Sequence, residues 1–175
     1  KHVQQTNDGG YVVCGQLLWK LSEDGEIEWV NENISGVFVE QTPDGGFLVV
    51  DREKITITDS GGNEAWSNAI PYELSNDGNH ADIIGVDRTQ DGGIVVFGST
   101  LEGWEMILIK FDNYGLEQWM RTYNYTEDLY ASKEWGHSVK QTPDGGFLLL
   151  GQTISGLITK MAIIKTDPFG FTTEN

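Results

Sequence analysis

The chain has 175 residues, a formal net charge of −16, 22 glycines, six tryptophans and one cysteine. A surface this acidic repels nucleic-acid phosphates and anionic lipid head groups, which sets both aside as partners, and a single cysteine permits no intramolecular disulfide. No apolar run approaches the ~18 residues that span a membrane, so no membrane insertion is expected, while abundant glycine and aromatic residues suit short strands joined by tight turns.

In chain order the predicted elements repeat. The first copy runs through strands "HVQQT" (2–6), "YVVCG" (11–15), "LLWKLS" (17–22) and "EIEWV" (26–30), with turns at Asp8-Gly9 and at Gly25. The second has "FVEQT" (38–42), a turn at Asp44-Gly45, "FLVVD" (47–51), "KITITD" (54–59), a turn at Gly62 and "NEAWS" (63–67). The third has "GVDRT" (85–89), Asp91-Gly92, "IVVFG" (94–98), "MILIKFD" (106–112), Gly115 and "LEQWM" (116–120). The fourth has "SVKQT" (138–142), Asp144-Gly145, "FLLLG" (147–151), "MAIIKTD" (161–167) and Gly170, then ends on "GFTTEN" (170–175). Trp29, Trp66 and Trp119 each stand four residues past a turn glycine, and the fourth copy has Glu174 there instead.

Asp-Gly between two β-rich runs is a hairpin signal, because glycine supplies the positive φ that a tight turn needs. A four-stranded unit of ~45 residues has the size of a propeller blade. The expectation is therefore all-β: a β-propeller of four repeats of four-stranded antiparallel blades, the last incomplete. It occupies 1–175 as a single domain or a fragment, with repeats at approximately 1–35, 36–81, 82–135 and 136–175. Nearly continuous apolar runs in the second and third strands imply burial on both faces. The tryptophan column is expected to wedge between blades, and the Asp-Gly-Gly triplets to be structural turns rather than phosphate cradles.

The pattern DGG(Y/F)-apolar-apolar-x-G, an apolar strand, then G-x-x-x-W resembles repeats of secreted bacterial and archaeal β-propeller proteins. The Gly-to-Trp spacing is also similar to that of quinoprotein dehydrogenases and outer-membrane assembly lipoproteins. "SEDGEIEW" (22–29) resembles the Asp-box of sialidase-like propellers. The resemblance implies a propeller fold and an extracellular or cell-envelope location. It implies no catalysis, since this turn is a fold element in those families.

Two sets of connections differ in character. The Asp-Gly-Gly turns and the turns before Trp are short and uniform. The second-to-third loops vary from 15–16 to 51–54, 99–105 and 152–160, and the fourth-to-first connections from 31–35 to 69–82 and 123–136. Rigid scaffolds carry function on variable loops. Tyr123, Tyr125, Tyr130 and Trp135, with Trp104 nearby and Glu127, Asp128 and Glu134 among them, are the candidate ligand-binding residues. Aromatic faces beside carboxylates suit a glycan or a protein hot spot; alternatively they pin a long loop to the blades.

No carboxylate pair stands out for glycoside chemistry, and no catalytic residue is expected. His2, His80 and His137 lack metal-ligand spacing. Cys14 aligns with apolar positions and reads as buried. "SNDGNHAD" (75–82) has the alternating oxygens of a Ca²⁺ loop without its bidentate Glu; no cofactor is expected, with Ca²⁺ as the weak alternative. Asn33 and Asn124 stand in glycosylation sequons.

These features point to a non-catalytic extracellular binding or scaffold module, presenting its variable loops to a glycan or protein. One alternative is a structural subunit self-associating through the unfinished blade; another is the propeller portion of a glycosidase-like or quinoprotein-like enzyme. The unfinished blade itself fits a fragment of a longer propeller, a four-bladed ring with a degenerate last strand, or a partner that donates the strand.

Overall fold

The computed structural model describes residues 1–70, 82–100, 105–124, 132–155 and 157–172. Among these the chain is all β, with no helix. The first sheet holds β1 (His2–Gln5), β2 (Tyr11–Cys14), β3 (Leu18–Leu21) and β4 (Ile27–Asn31). The second holds β5 (Phe38–Gln41), β6 (Phe47–Val50), β7 (Lys54–Thr58) and β8 (Glu64–Ala69). The third holds β9 (Asp82–Arg88), β10 (Ile94–Ser99), β11 (Met106–Phe111) and β12 (Glu117–Tyr123). The fourth holds β13 (Ser132–Gln141), β14 (Phe147–Ser155) and β15 (Ile158–Thr166). Every sheet is an antiparallel meander in sequence order, as short turns between neighbouring strands require.

Register repeats with the sequence. Gln5 pairs Tyr11, Gln41 pairs Phe47, Arg88 pairs Ile94 and Gln141 pairs Phe147. Between the third and fourth strands of three sheets the ladder slips after Lys20, Ile57 and Lys110, which pair with Trp29, Trp66 and Trp119; the first-to-second pairs of the third and fourth sheets also shift, at Phe97/Gly98 and Gly136/Ser138. Such a bulge adds twist and re-aims the side chains beyond it.

Contacts divide the chain into two compact units, Lys1–Pro71 and Tyr72–Asn175, each holding two sheets. In the first unit Val12, Cys14 and Leu18 pack with Val39, Phe47 and Val49, and Trp29 closes the cluster. Burial pushes the Cys14 thiol up, as for an apolar core residue. In the second unit Phe97, Met106 and Leu108 pack with Val139, Phe147, Leu149 and Ile164, and Trp119 closes the cluster. Each tryptophan lies edge-on to a phenylalanine, Trp29 to Phe47 at 5.6 Å and Trp119 to Phe147 at 5.8 Å. Trp66 is half-buried on β8.

The two units use one polar lock. In the first, Gln4 Oε1 accepts from Gln41 N at 2.6 Å, and Gln41 Oε1 accepts from Asn7 N at 2.8 Å. Asn31 Nδ2 donates to the Gly62 carbonyl at 2.7 Å. In the second, Asp87 Oδ2 accepts from Gln141 N at 2.8 Å, and Gln141 Oε1 accepts from Gln90 N at 2.7 Å. Tyr123 Oη donates to the Gly170 carbonyl at 2.8 Å. A Cβ built on Gly62 would lie 2.4 Å from the Trp29 ring, and one on Gly170 2.8 Å from the Trp119 ring. Glycine is required there twice over, for φ of 77° and 80° and for the ring.

Burial on both faces, expected for the second and third strand of every repeat, holds for β6, β10 and β11, which are buried at every position. The first and fourth sheets instead alternate: β2 has Val12 and Cys14 buried but Tyr11 and Val13 half-exposed, while β14 and β15 leave Leu148, Leu150, Met161 and Ile163 exposed. Continuous apolar sequence therefore reports what a strand can bury, not what covers it.

Two boundaries need correction. The fourth sheet begins at Ser132, within the expected third repeat, because β13 pairs with β14 from Ser132↔Ser155 onward. Residues 152–160, expected as a variable loop, are mostly the arms of one hairpin, β14 and β15, paired out to Ser155↔Ile158. Thr153, Ile154, Ile158 and Thr159 are β-branched and extend the ladder. After β15 only a single bridge, Thr166↔Thr172, joins the fourth sheet among the described residues.

Candidate functional site: the variable loops

The repeated turns spend their polar groups on themselves. At the first, Thr6 Oγ1 donates to Asp8 Oδ1, Gly10 N donates to the same oxygen at 3.1 Å, and Lys20 Nζ reaches Asp8 Oδ2 at 2.9 Å. The Thr6 hydroxyl, Lys20 and the Gly10 amide hold the Asp8 carboxyl at about 2, below the usual carboxylate range. Asp144 is held at about 2 by Thr142, Lys165 and Gly146. Burial works against Asp91, yet Thr89, Lys110 and Gly93 together lower it. The second glycine of the triplet cannot carry a side chain: a Cβ on Gly46 would sit 2.1 Å from the Thr58 carbonyl. Sequence reasoning missed the lysine column. Lys20, Lys110 and Lys165 each stand five residues before a turn glycine, and Ile57 takes that place in the second repeat, so alignment on those glycines would have found it.

The second turns of the second, third and fourth repeats are closed as firmly. Asp112 Oδ1 accepts from Tyr114 N and Leu116 N at 2.8 and 2.9 Å, and Asp167 Oδ1 from Phe169 N and Phe171 N at 2.9 Å each. Asp59 does the same for Gly61 N and Asn63 N. These are Asx turns, in which the carboxylate replaces a backbone acceptor.

On the variable side of the first unit an open groove of about 440 Å³ is lined by Gly15, Gln16, Ser35, Gly36, Asp51 and Glu53 among others. Gly36 N donates to the Gly15 carbonyl at 2.9 Å, which joins the two loop sets. Asp51 organises its own loop: Oδ1 accepts from Glu53 N at 2.6 Å and Lys54 N at 2.8 Å, and Oδ2 accepts from Ser35 Oγ at 3.3 Å. Arg52 and Lys1 add positive charge to the wall. The groove offers hydrogen bonds and charges of both signs. No group of three or more metal-ligating side chains occurs among the described residues.

The residues singled out from sequence are not gathered into this groove. Tyr123 ends β12, 6% exposed in the core, with its hydroxyl on Gly170, so it is held as a packing and locking residue. Trp135 is half-buried on β13, paired with Gln152, and is a strand residue rather than a loop one. Glu134 beside it is fully buried. Trp104, Tyr125 and Tyr130 lie outside the described residues, as does 75–81 of the Ca²⁺-like stretch. Asn33 and Asn124 of the two sequons are exposed. His2 stacks on Phe38 at 4.9 Å with Nδ1 3.0 Å from the Val39 carbonyl, and His137 is exposed. The groove was missed because it uses the shortest loops; its signal was the charged "DREK" (51–54) between two apolar strands.

No family model matches the chain, and no curated protein does. It is similar to the crystal structure of a protein of unknown function from Bacteroides caccae, with a TM-score of 0.58 and 14% identity over 93% of this chain. The match spans 56% of that longer protein. At this identity the likeness concerns the fold alone: four antiparallel, blade-like sheets.

Proposed function

We propose that the four sheets are blades of a β-propeller, and that the protein is a non-catalytic binding or scaffold module of the extracellular space or cell envelope. One observation carries the reading. The repeated turns are uniform and closed by their own hydrogen bonds, whereas the variable loops of the first unit shape an open groove lined by Asp51, Arg52 and Glu53. A groove that mixes both charges and lacks an aromatic floor suits an extended protein segment better than a sugar ring. A glycan is the second reading, resting on the sequence alone through Trp104, Tyr125, Tyr130 and Trp135. Binding to peptide and glycan arrays tests the two. Saturable peptide binding, lost in Arg52→Glu with unchanged circular dichroism, is the expected result. Binding unaffected by that change, or turnover of any substrate, would overturn it.

A further inference from the structure

We infer that the outer face of the first sheet is a receiving site for one further blade of this same repeat. Each lock described above has a receiving half: a glutamine at the end of the first strand, an aromatic residue paired with it, and a positive-φ turn glycine beneath the tryptophan. These are Gln41, Phe47 and Gly62 in the first unit and Gln141, Phe147 and Gly170 in the second. The first sheet carries the same three parts in Gln5, Tyr11 and Gly25. Gln5 pairs Tyr11 in the ladder, as Gln41 pairs Phe47.

The poses agree as well. Gln5 Nε2 donates to the Gly9 carbonyl at 3.2 Å, as Gln41 Nε2 does to Gly45 at 3.4 Å and Gln141 Nε2 to Gly145 at 3.0 Å. That leaves the amide oxygen for a donor from another sheet, the use to which Gln41 and Gln141 put it. Gly25 has φ of 83°, yet none of the described residues lies within 4 Å of a Cβ built on it, where Gly62 and Gly170 each meet an indole. Around it Val3 and Ile27 are 58% and 59% exposed. Among the described residues the half-site is formed and nothing covers it.

Its chemistry names the occupant. The giving half needs a side-chain oxygen where Gln4 and Asp87 stand, a tryptophan where Trp29 and Trp119 stand, and a donor for the glycine carbonyl. A second copy of this chain offers its fourth sheet poorly, because Lys140 replaces the oxygen acceptor and Glu174 the tryptophan. A further repeat of the G-x-x-x-W type, of the kind a longer propeller supplies, has every part. The Bacteroides caccae structure extends well beyond the matched length, which is the setting such a blade requires.

The test repeats 1–36 ahead of the whole chain, which keeps the 36-residue spacing of the first two triplets. The expected result is a Tm raised by about 5 °C and trypsin cleavage after Lys20 of the added copy slowed at least tenfold relative to an unfolded peptide. Gly25→Val or Tyr11→Lys in the receiving copy should each abolish that protection; Tyr11→Lys keeps the test sound if the glycine change perturbs its own turn. An added copy digested like a free peptide with Tm unchanged, or protected equally in both variants, would overturn the inference. So would dimers of the unextended chain that Tyr11→Lys dissolves, since they assign the face to a second copy.

Discussion

Trp29 and Trp119 occupy the same position in the two units, each edge-on to a phenylalanine and close over a turn glycine. The groups around them differ. In the first unit neutral amides do the joining, through Gln4 and Asn31. In the second a carboxylate and a phenol replace them, Asp87 and Tyr123, and Lys140 adds an ion pair to Asp87. What the two pairs share is the position of an acceptor and of a donor, not the residue that supplies it. A backbone N–H or C=O at a fixed place must be satisfied, and any side chain that reaches it will serve.

The largest effect should come from the glycine beneath the indole. Gly62→Val and Gly170→Val each impose a left-handed backbone on a branched residue and expel a tryptophan ring. Each should cost about 3 kcal/mol or more by urea denaturation, whereas Gly25→Val, with no ring above it, should cost only the backbone strain, about 1–2 kcal/mol. Equal losses at the three sites would show that the indole adds nothing to the locks, and unequal losses at Gly62 and Gly170 would break their equivalence.

An intermediate effect separates the two donors. Tyr123→Phe keeps the ring in the core but leaves the buried Gly170 carbonyl without its donor, at about 1–3 kcal/mol. Asn31→Ala, at a half-buried site that water reaches, should cost about 1 kcal/mol or less. The same denaturation measurement ranks them, and a smaller loss for Tyr123→Phe would mean that the second lock does not depend on its phenol.

The smallest effect lies in the turns. Asp8 and Asp144 titrate at about 2 in the folded chain against an ordinary 3.8. A carboxyl lowered by folding stabilises the fold above its unfolded value and loses that contribution as pH falls through the folded one. Stability should therefore drop between about pH 4 and pH 2, tempered by the exposure of both groups. Carboxylate carbon shifts followed by NMR should place Asp144 near 2, and Lys165→Met should move it upward. An Asp144 midpoint already at 3.8 would show that the lysine column does not act on the turns.

Much of this architecture was legible in the residues. Asp-Gly-Gly predicted four hairpins because glycine alone tolerates the backbone that follows the aspartate, and the tryptophan spacing marked the fourth strand of three sheets. The lysine column was also present and was passed over, because a lysine within an apolar strand looks like a solvated edge until its ammonium is seen on the turn carboxylate. Loop length misled in both directions. Residues 152–160 extended a hairpin, since β-branched alternation favours the ladder over a loop, and the groove arose from the shortest connections. Tyr123 was read as a loop aromatic because sequence says where a strand can end, not where its ladder stops.

Local chemistry decided the turns and strands of this protein, because φ preferences and side-chain alternation act within a few residues. Only tertiary structure decided which faces are covered. The strands of the first and fourth sheets are about as apolar as those of the second and third, and coverage depends on which groups another sheet brings: a tryptophan over Gly62 and Gly170, and none of the described residues over Gly25.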